Sequence, residues 1–422
     1  MSRQPAYPPA KPARSSAPRL VALAAASTMV VAACGGSADP EELAFTSSTT
    51  ATSEATTGAT TSTTEAASTT VPVVEPEEQQ PTTPTTAGSG LGPVQTIAVD
   101  PGGDPDGIYR GILGELALTE QVAPAAVPAP TVADGILPLN GLPGQVPDRP
   151  AAVVKVDNGP AAVPQTGLAQ ADLVIEEEVE GGVTRFAAVF HSTPSIVGPV
   201  RSGRTTDLSL ISGFEDPLLI YSGANRITEG ILRSNTAIQN RSHGSAAGGY
   251  WRADDRSAPS NLYSDTAPHW DSATGGPPPP QFHYRSPGVP AVGATSDQFT
   301  VTYGASSARW EWDGDRWLRW QRGAPHTDVD GTQLRAENVV VIATDKVDTG
   351  MTDSSGGAVP ELVFVGSGQA VVFTDGQRIE GIWTRPTLSD VATLTDADGL
   401  PIGLTPGQTW IQMVETNAGA LR

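Results

Sequence analysis

The stretch IEEEVEGGVTRF, Ile175 to Phe186, sets four carboxylates beside a glycine pair and an arginine. Its flanks, ADLV (171–174) and AAVF (187–190), read as ordinary buried strand. A chain that crowds Glu176, Glu177, Glu178 and Glu180 into such a segment either builds a site there or wets one face of a sheet. With Gly181-Gly182 as a two-residue turn, the segment predicts a tight hairpin. Facing residues then have numbers summing to 363, so Glu178 opposes Arg185 and Glu176 opposes Ala187. Alternation places Glu176, Glu178, Glu180 and Arg185 on one face. Leu173, Ile175, Val179, Phe186, Ala188 and Phe190 make the other, a good core face. Glu177 falls on that apolar side, opposite Phe186, as the anomaly of the hairpin: a rim position or a bulge.

A solvated sheet face with a cross-strand pair contributing about 0.2–1 kcal/mol is the bland account of these acids. The sharper account is a cluster that binds a ligand or does acid/base work. A second group of residues bears on it. VGPVRSGRTTDLSL (197–210) puts Arg201 and Arg204 in a Gly/Pro/Ser loop just before a predicted helix. Two guanidinium forks and a helix start can converge on one anion. Equally, both arginines can pair with the hairpin acids. Either arrangement brings the two clusters together.

Outward from the hairpin, AAVVKVDN (151–158) reads as a buried strand ending in Asp157-Asn158. DLSLISGF and NRITEGILRS read as helices with the strand PLLIYSG between them. This alternation predicts an α/β or α+β first domain over residues 136–274. The proline-rich stretch 275–296 is a joint. Residues 297–416, with strand-like runs punctuated by Asp313-Gly314 and Asp375-Gly376, predict a mostly antiparallel β second domain.

The N-terminal third is of another kind. Arg3, Lys11, Arg14 and Arg19 precede the apolar run LVALAAASTMVVAA, a signal-peptide core too short to span a bilayer comfortably. Val31-Ala32-Ala33-Cys34 resembles a bacterial lipobox, and Cys34 is the only cysteine of the chain. One cysteine in an exported protein cannot form an internal disulfide, which leaves lipidation as its economical use. Residues 1–33 are therefore expected to be removed, with the chain anchored through Cys34 to the outer face of the cytoplasmic membrane. Residues 34–106, rich in Ser, Thr, Ala, Glu and Pro, lack apolar periodicity and predict a disordered tether. About 60 such residues reach roughly 40–45 Å. Within 107–135, GIYRGILGELALTEQV has helical spacing and AAVPAPTVA returns to linker.

Charge and motifs narrow the function classes. A net charge of −21 argues against a nucleic-acid partner, because phosphates need a cationic surface. The five histidines are scattered, without HExxH or a cysteine pair, so no metal and no cofactor is expected. His326, Asp328 and Asp330 share a loop that lacks EF-hand spacing and reads as a turn with Asx hydrogen bonds. No GxSxG elbow occurs. WEWDGDRWLRW sets four tryptophans in a hairpin, read as core, with sugar stacking by Trp310 and Trp312 as the alternative.

PLNGLPG, VDNGPAAVPQTGLAQADLVIEEEVEGGVTRFAAVF and GPVRSGR resemble the first domain of the YerB-like bacterial lipoproteins, a family of unknown function. GAPHTDVDGTQLRAENVVV, GSGQAVVFTDGQRIEGIWTR and GLPIGLTPGQTWIQMV resemble its second domain. The match runs over about residues 136–416. The resemblance implies that Asp157, Asn158, Glu176, Glu180, Arg185, Arg201 and Arg204 are the characteristic polar positions. By the same resemblance Glu177 and Glu178 stand where the family is usually not acidic, and Lys155 where a hydrophobic residue is more usual.

The reading that follows is a lipid-anchored, extracytoplasmic protein. Those seven residues would form a ligand pocket for a charged cell-envelope component such as a peptidoglycan fragment. The competing class is a wall or glycan hydrolase, whose catalytic residues no motif identifies. Glu176 and Glu180 on one strand face would lie about 13 Å apart, beyond the roughly 5–9.5 Å of paired glycosidase carboxylates, so Asp157 would have to be one partner. A third class is a structural or partner-docking lipoprotein in which the ion cluster only braces the fold.

Overall fold

Branched apolar residues in unbroken runs ask for burial on both faces of a sheet, and the chain supplies it. Strand β1, Ala152–Asp157, is buried at all six positions, and so is β3, Thr184–Phe190, at all seven. The computed structural model describes residues 127–245, 248–352 and 357–416, which belong to one compact unit. The expected signal peptide, Cys34, the expected tether and the helix expected over 107–122 lie outside the described residues.

The sequence segments after β1 form β2, Leu173–Glu178, then β3, then β4, Leu218–Tyr221, and β5, Gln239–Ser242. Between them lie helices α1, Thr206–Ile211, and α2, Arg226–Ser234. Helix α2 starts at Asn225, whose side chain accepts the Thr228 N–H at 2.9 Å, a normal N-cap. It buries Thr228, Ile231 and Leu232, while Glu229 and Arg233 pair on the outer face at 2.6 Å.

The C-terminal segment supplies a three-stranded meander, β6 (Gln298–Thr302), β7 (Ser307–Trp312) and β8 (Trp317–Gln321), which short strands extend to a five-stranded sheet. It continues with β9 (Asn338–Thr352), β10 (Ala358–Val363), β11 (Gly366–Thr374), β12 (Gln377–Arg385), β13 (Thr393–Thr395) and β14 (Thr409–Glu415). The fold class is therefore as expected: mixed α and β first, mostly antiparallel β afterwards.

The two halves share one twelve-stranded sheet, with the core order β12-β11-β9-β14-β2-β3-β1-β4-β5. They meet where β2 and β14 run parallel, Leu173 beside Thr409 through Glu176 beside Gln412. One face of this sheet packs Leu173, Ile175, Ala187 and Val153 against Leu208, Ile211 and Leu232 of the helices. The opposite face packs Val174, Phe186, Ala188 and Val154 against Phe299, Val301, Trp310 and Trp317 of the small sheet. The tryptophans of the WEWDGDRWLRW hairpin thus divide: Trp310 and Trp317 are fully enclosed and serve the core.

Asp375-Gly376 makes the two-residue turn its dipeptide asks for: both residues have positive φ, and Thr374 pairs with Gln377. The Gly181-Gly182 hairpin does not. Glu176 pairs with Phe186, Glu177 with Arg185 and Glu178 with Thr184, so facing numbers sum to 362. Three residues, Glu180–Gly182, turn the chain, closed by Val179 N–H donating to Val183 O at 2.8 Å. Gly182 meets the backbone at Ala305, whose N–H donates to its carbonyl at 2.7 Å, leaving no room for a Cβ. The shift by one residue turns β2 side chains to the face opposite the expected one relative to β3.

Candidate functional site

That shift redistributes the four acids, and each finds a different cation. Glu177 lies on the helix side with Arg185 and Asp157, because Asp157, Arg185 and Glu177 occupy one row across β1, β3 and β2. Glu177 bonds to the Lys155 ammonium, and Asp207 of α1 holds the same nitrogen at 2.7 Å. All three side chains are inaccessible to solvent. Lys155 and Glu177, two of the three positions expected to depart from the family pattern, are thus one another's partners. Two carboxylates raise the Lys155 pKa although burial opposes it, and burial raises that of Glu177 against the pull of Lys155.

Glu361 of β10 borders the same group. It is enclosed, and no cation pairs with it among the described residues. Burial pushes its carboxyl to about 7, with Glu177 and Asp207 adding to the rise and Thr205 opposing it. Asp207 carried no signal of its own in the sequence beyond its place at the start of the predicted helix DLSLISGF. A lone carboxylate inside the apolar run VPELVFV was the available signal for Glu361.

Glu176 and Asn158 lie across the sheet from this group, which corrects the expectation that they join Arg185. Glu176 accepts Thr184 Oγ1 at 2.7 Å and pairs with Arg319 of β8 at 2.8 Å. Arg319 sits among the rings of Phe186, Trp310 and Trp410 and donates to His326 Nδ1 at 2.9 Å. Asn158 donates to Thr184 Oγ1 at 2.7 Å and accepts from Gln321 at 2.8 Å. This buried polar network joins the two halves of the chain. Arg319 was not legible as its center, since its partner is 143 residues away in sequence. Glu178, on the same side, pairs with Lys346 at 3.1 Å and accepts the Gly304 N–H at 2.8 Å. The 326–330 loop is a turn as expected: Asp328 accepts backbone N–H groups of Val329 and Gly167, and Asp330 that of Thr332.

The remaining residues converge beyond the carboxyl ends of β1 and β4, where ligands bind in open α/β sheets. The Val200–Gly203 segment bridges those ends: Arg201 N–H donates to Lys155 O, and Gly203 N–H to Gly223 O. Asp157 accepts Ser260 Oγ at 3.0 Å and Gly159 N–H at 3.0 Å, with Arg201 Nε at 3.4 Å. Glu180 grips Arg204 through two bonds, 2.5 and 2.7 Å. Arg185 donates to the Ser202 carbonyl at 3.1 Å. Burial, then the neighboring Arg204 charge, lowers its pKa to about 10, with Arg201, Asp157 and Glu180 also acting on it. Arg322, from the second half, donates to Asn158 O at 2.6 Å and lies close enough to Asp157 to feel its charge. Five of the seven expected residues, Asp157, Glu180, Arg185, Arg201 and Arg204, therefore form one cluster.

Asp157 and Glu176 face opposite sides of the sheet, whereas Glu180 lies in the cluster with Asp157 and is held in a bidentate arginine fork. Among the described residues no group of three metal-ligating side chains occurs.

Comparison with known proteins fits this architecture. Residues 139–276 match the N-terminal domain, and residues 299–411 the C-terminal domain, of the protein family of unknown function DUF3048. The chain is 28% identical over 295 residues to the protein named "Putative lipoprotein YerB" of Bacillus subtilis (strain 168), covering 66% of this chain and 85% of that one. The crystal structure of the YerB protein from Bacillus subtilis aligns with a TM-score of 0.58 at 26% identity, over 68% of this chain and 98% of that one. The chain belongs to the YerB-like family.

Proposed function

We propose that this protein is a lipid-anchored, extracytoplasmic binding protein whose cluster at the ends of β1 and β4 takes an anionic group of a cell-envelope component. The lipobox-like Val31-Ala32-Ala33-Cys34 would carry the anchor, in keeping with the lipoprotein name of its Bacillus relative. The Ser/Thr-rich stretch after it would space the folded part from the membrane.

The observation that carries the reading is the convergence of three guanidinium groups in a chain of net charge −21. Crowding like charges costs free energy, and such cost concentrates at binding sites. Purified cell wall should retain the wild-type chain and an Arg201→Ala variant to different extents, with Glu176→Ala, on the other sheet face, as the control. Equal retention of wild type and Arg201→Ala sinks the proposal.

A further inference from the structure

The ion pairs at this cluster leave one enclosed guanidinium, Arg185, without a direct carboxylate partner, and that specifies a valence. Arg204 and Glu180 close on each other, and the third nitrogen of the Arg204 guanidinium donates to Gly203 O at 2.8 Å. That leaves Arg185 and Arg201 beside Asp157, with Arg322 reaching the same carboxylate from the second half. Asp157 already accepts from a hydroxyl and a backbone N–H and has Arg201 beside it. Arg185, only 8% exposed, has a neutral carbonyl as its hydrogen-bond acceptor, and no carboxylate pairs with it among the described residues. Arg185 therefore stands without a direct anionic partner in a nearly enclosed place, where an unpaired charge is costly.

The layer beneath offers Arg185 no direct ion pair: Glu177, its cross-strand neighbor, turns its bonded oxygen to Lys155, which Asp207 shares.

Resting on the reading that this cluster binds anions, we infer that its ligand presents a singly charged group with two terminal oxygens, a carboxylate or a phosphodiester, to Arg185 and Arg201. Two such oxygens match the paired N–H donors of a guanidinium fork. A doubly charged phosphate monoester would bring one negative charge too many beside Asp157 and Glu180. The two sources of the monoanion differ in shape and not in charge.

The test uses the full chain with three probes in calorimetric titrations at pH 8: N-acetylglycine, dimethyl phosphate and methyl phosphate, the last doubly charged there. The inference expects one of the monoanions to bind more tightly than methyl phosphate, by about tenfold for one unit of charge in such a site. Which monoanion prevails identifies the source. Asp157→Asn, which keeps the shape and removes one negative charge, should shift the preference toward methyl phosphate. Arg201→Ala should weaken every probe. Tighter wild-type binding of methyl phosphate, or an Asp157→Asn variant with unchanged preference, overturns the valence inference and leaves anion binding standing. If none of the three probes binds, or Arg201→Ala binds all three as wild type does, both fail.

Discussion

Lys155→Met is the most exacting test of the buried charges. The side chain and both partners are sealed from water, and the ammonium bonds to Glu177 and to Asp207 at 2.7 Å. Methionine fills similar space but leaves two carboxylates without a cation, with Glu361 close by. Removing one partner of a buried ion group costs about 3–5 kcal/mol, because the survivor stays desolvated and unpaired. At 1 kcal/mol per roughly 2–4 °C for mid-sized domains, melting should fall by about 10 °C at pH 7. The loss should also depend on pH, with a definite sign. Without Lys155 the buried Glu177 carboxyl, whose pKa burial already raises, folds protonated while the unfolded chain ionizes it, so stability rises as pH falls. That carboxyl recovers about 1.4 kcal/mol per pH unit until its unfolded pKa is reached. Thermal unfolding of wild type and variant at pH 7 and pH 5 reads both effects. A loss under about 1 kcal/mol at pH 7, or one that is the same at pH 5, would refute the description of Lys155 as the neutralizing center of this group.

Two further outcomes are expected. Glu361→Gln should flatten the pH dependence of unfolding: the raised folded pKa of about 7 means the wild-type carboxyl contributes stability below its unfolded value that is lost as pH rises through 7. Denaturation midpoints from pH 4 to pH 8 that rise and fall alike in the two proteins would contradict it. Glu176→Ala strands the enclosed Arg319 and should lower stability by about 3–5 kcal/mol in urea unfolding. Where the variant is still folded, its affinity for anions should be unchanged; a parallel loss of affinity would return Glu176 to the site.

Local chemistry made much of this molecule readable in advance. The apolar runs of β1 and β4, the N-capped helix α2 and the Asp375-Gly376 turn follow from interactions that span a few residues. So does the loop of Arg201 and Arg204 next to the end of β1. The partnership of the four hairpin acids was not readable. A three-residue turn replaced a two-residue one because contacts from far along the chain, at Ala305 and Arg204, hold Gly182 and Glu180. With a side-chain period of two, that single residue sent Glu176 to one side of the sheet and Glu177 to the other.

Sequence alone determined most strands, the helices and the residue types available to a site. Tertiary structure decided which acid met which base: Glu176 with Arg319, Glu177 with Lys155, Glu178 with Lys346 and Glu180 with Arg204. Elements form through neighbors in sequence, whereas ion pairs between distant strands form only once register and layer order have fixed which face each side chain occupies.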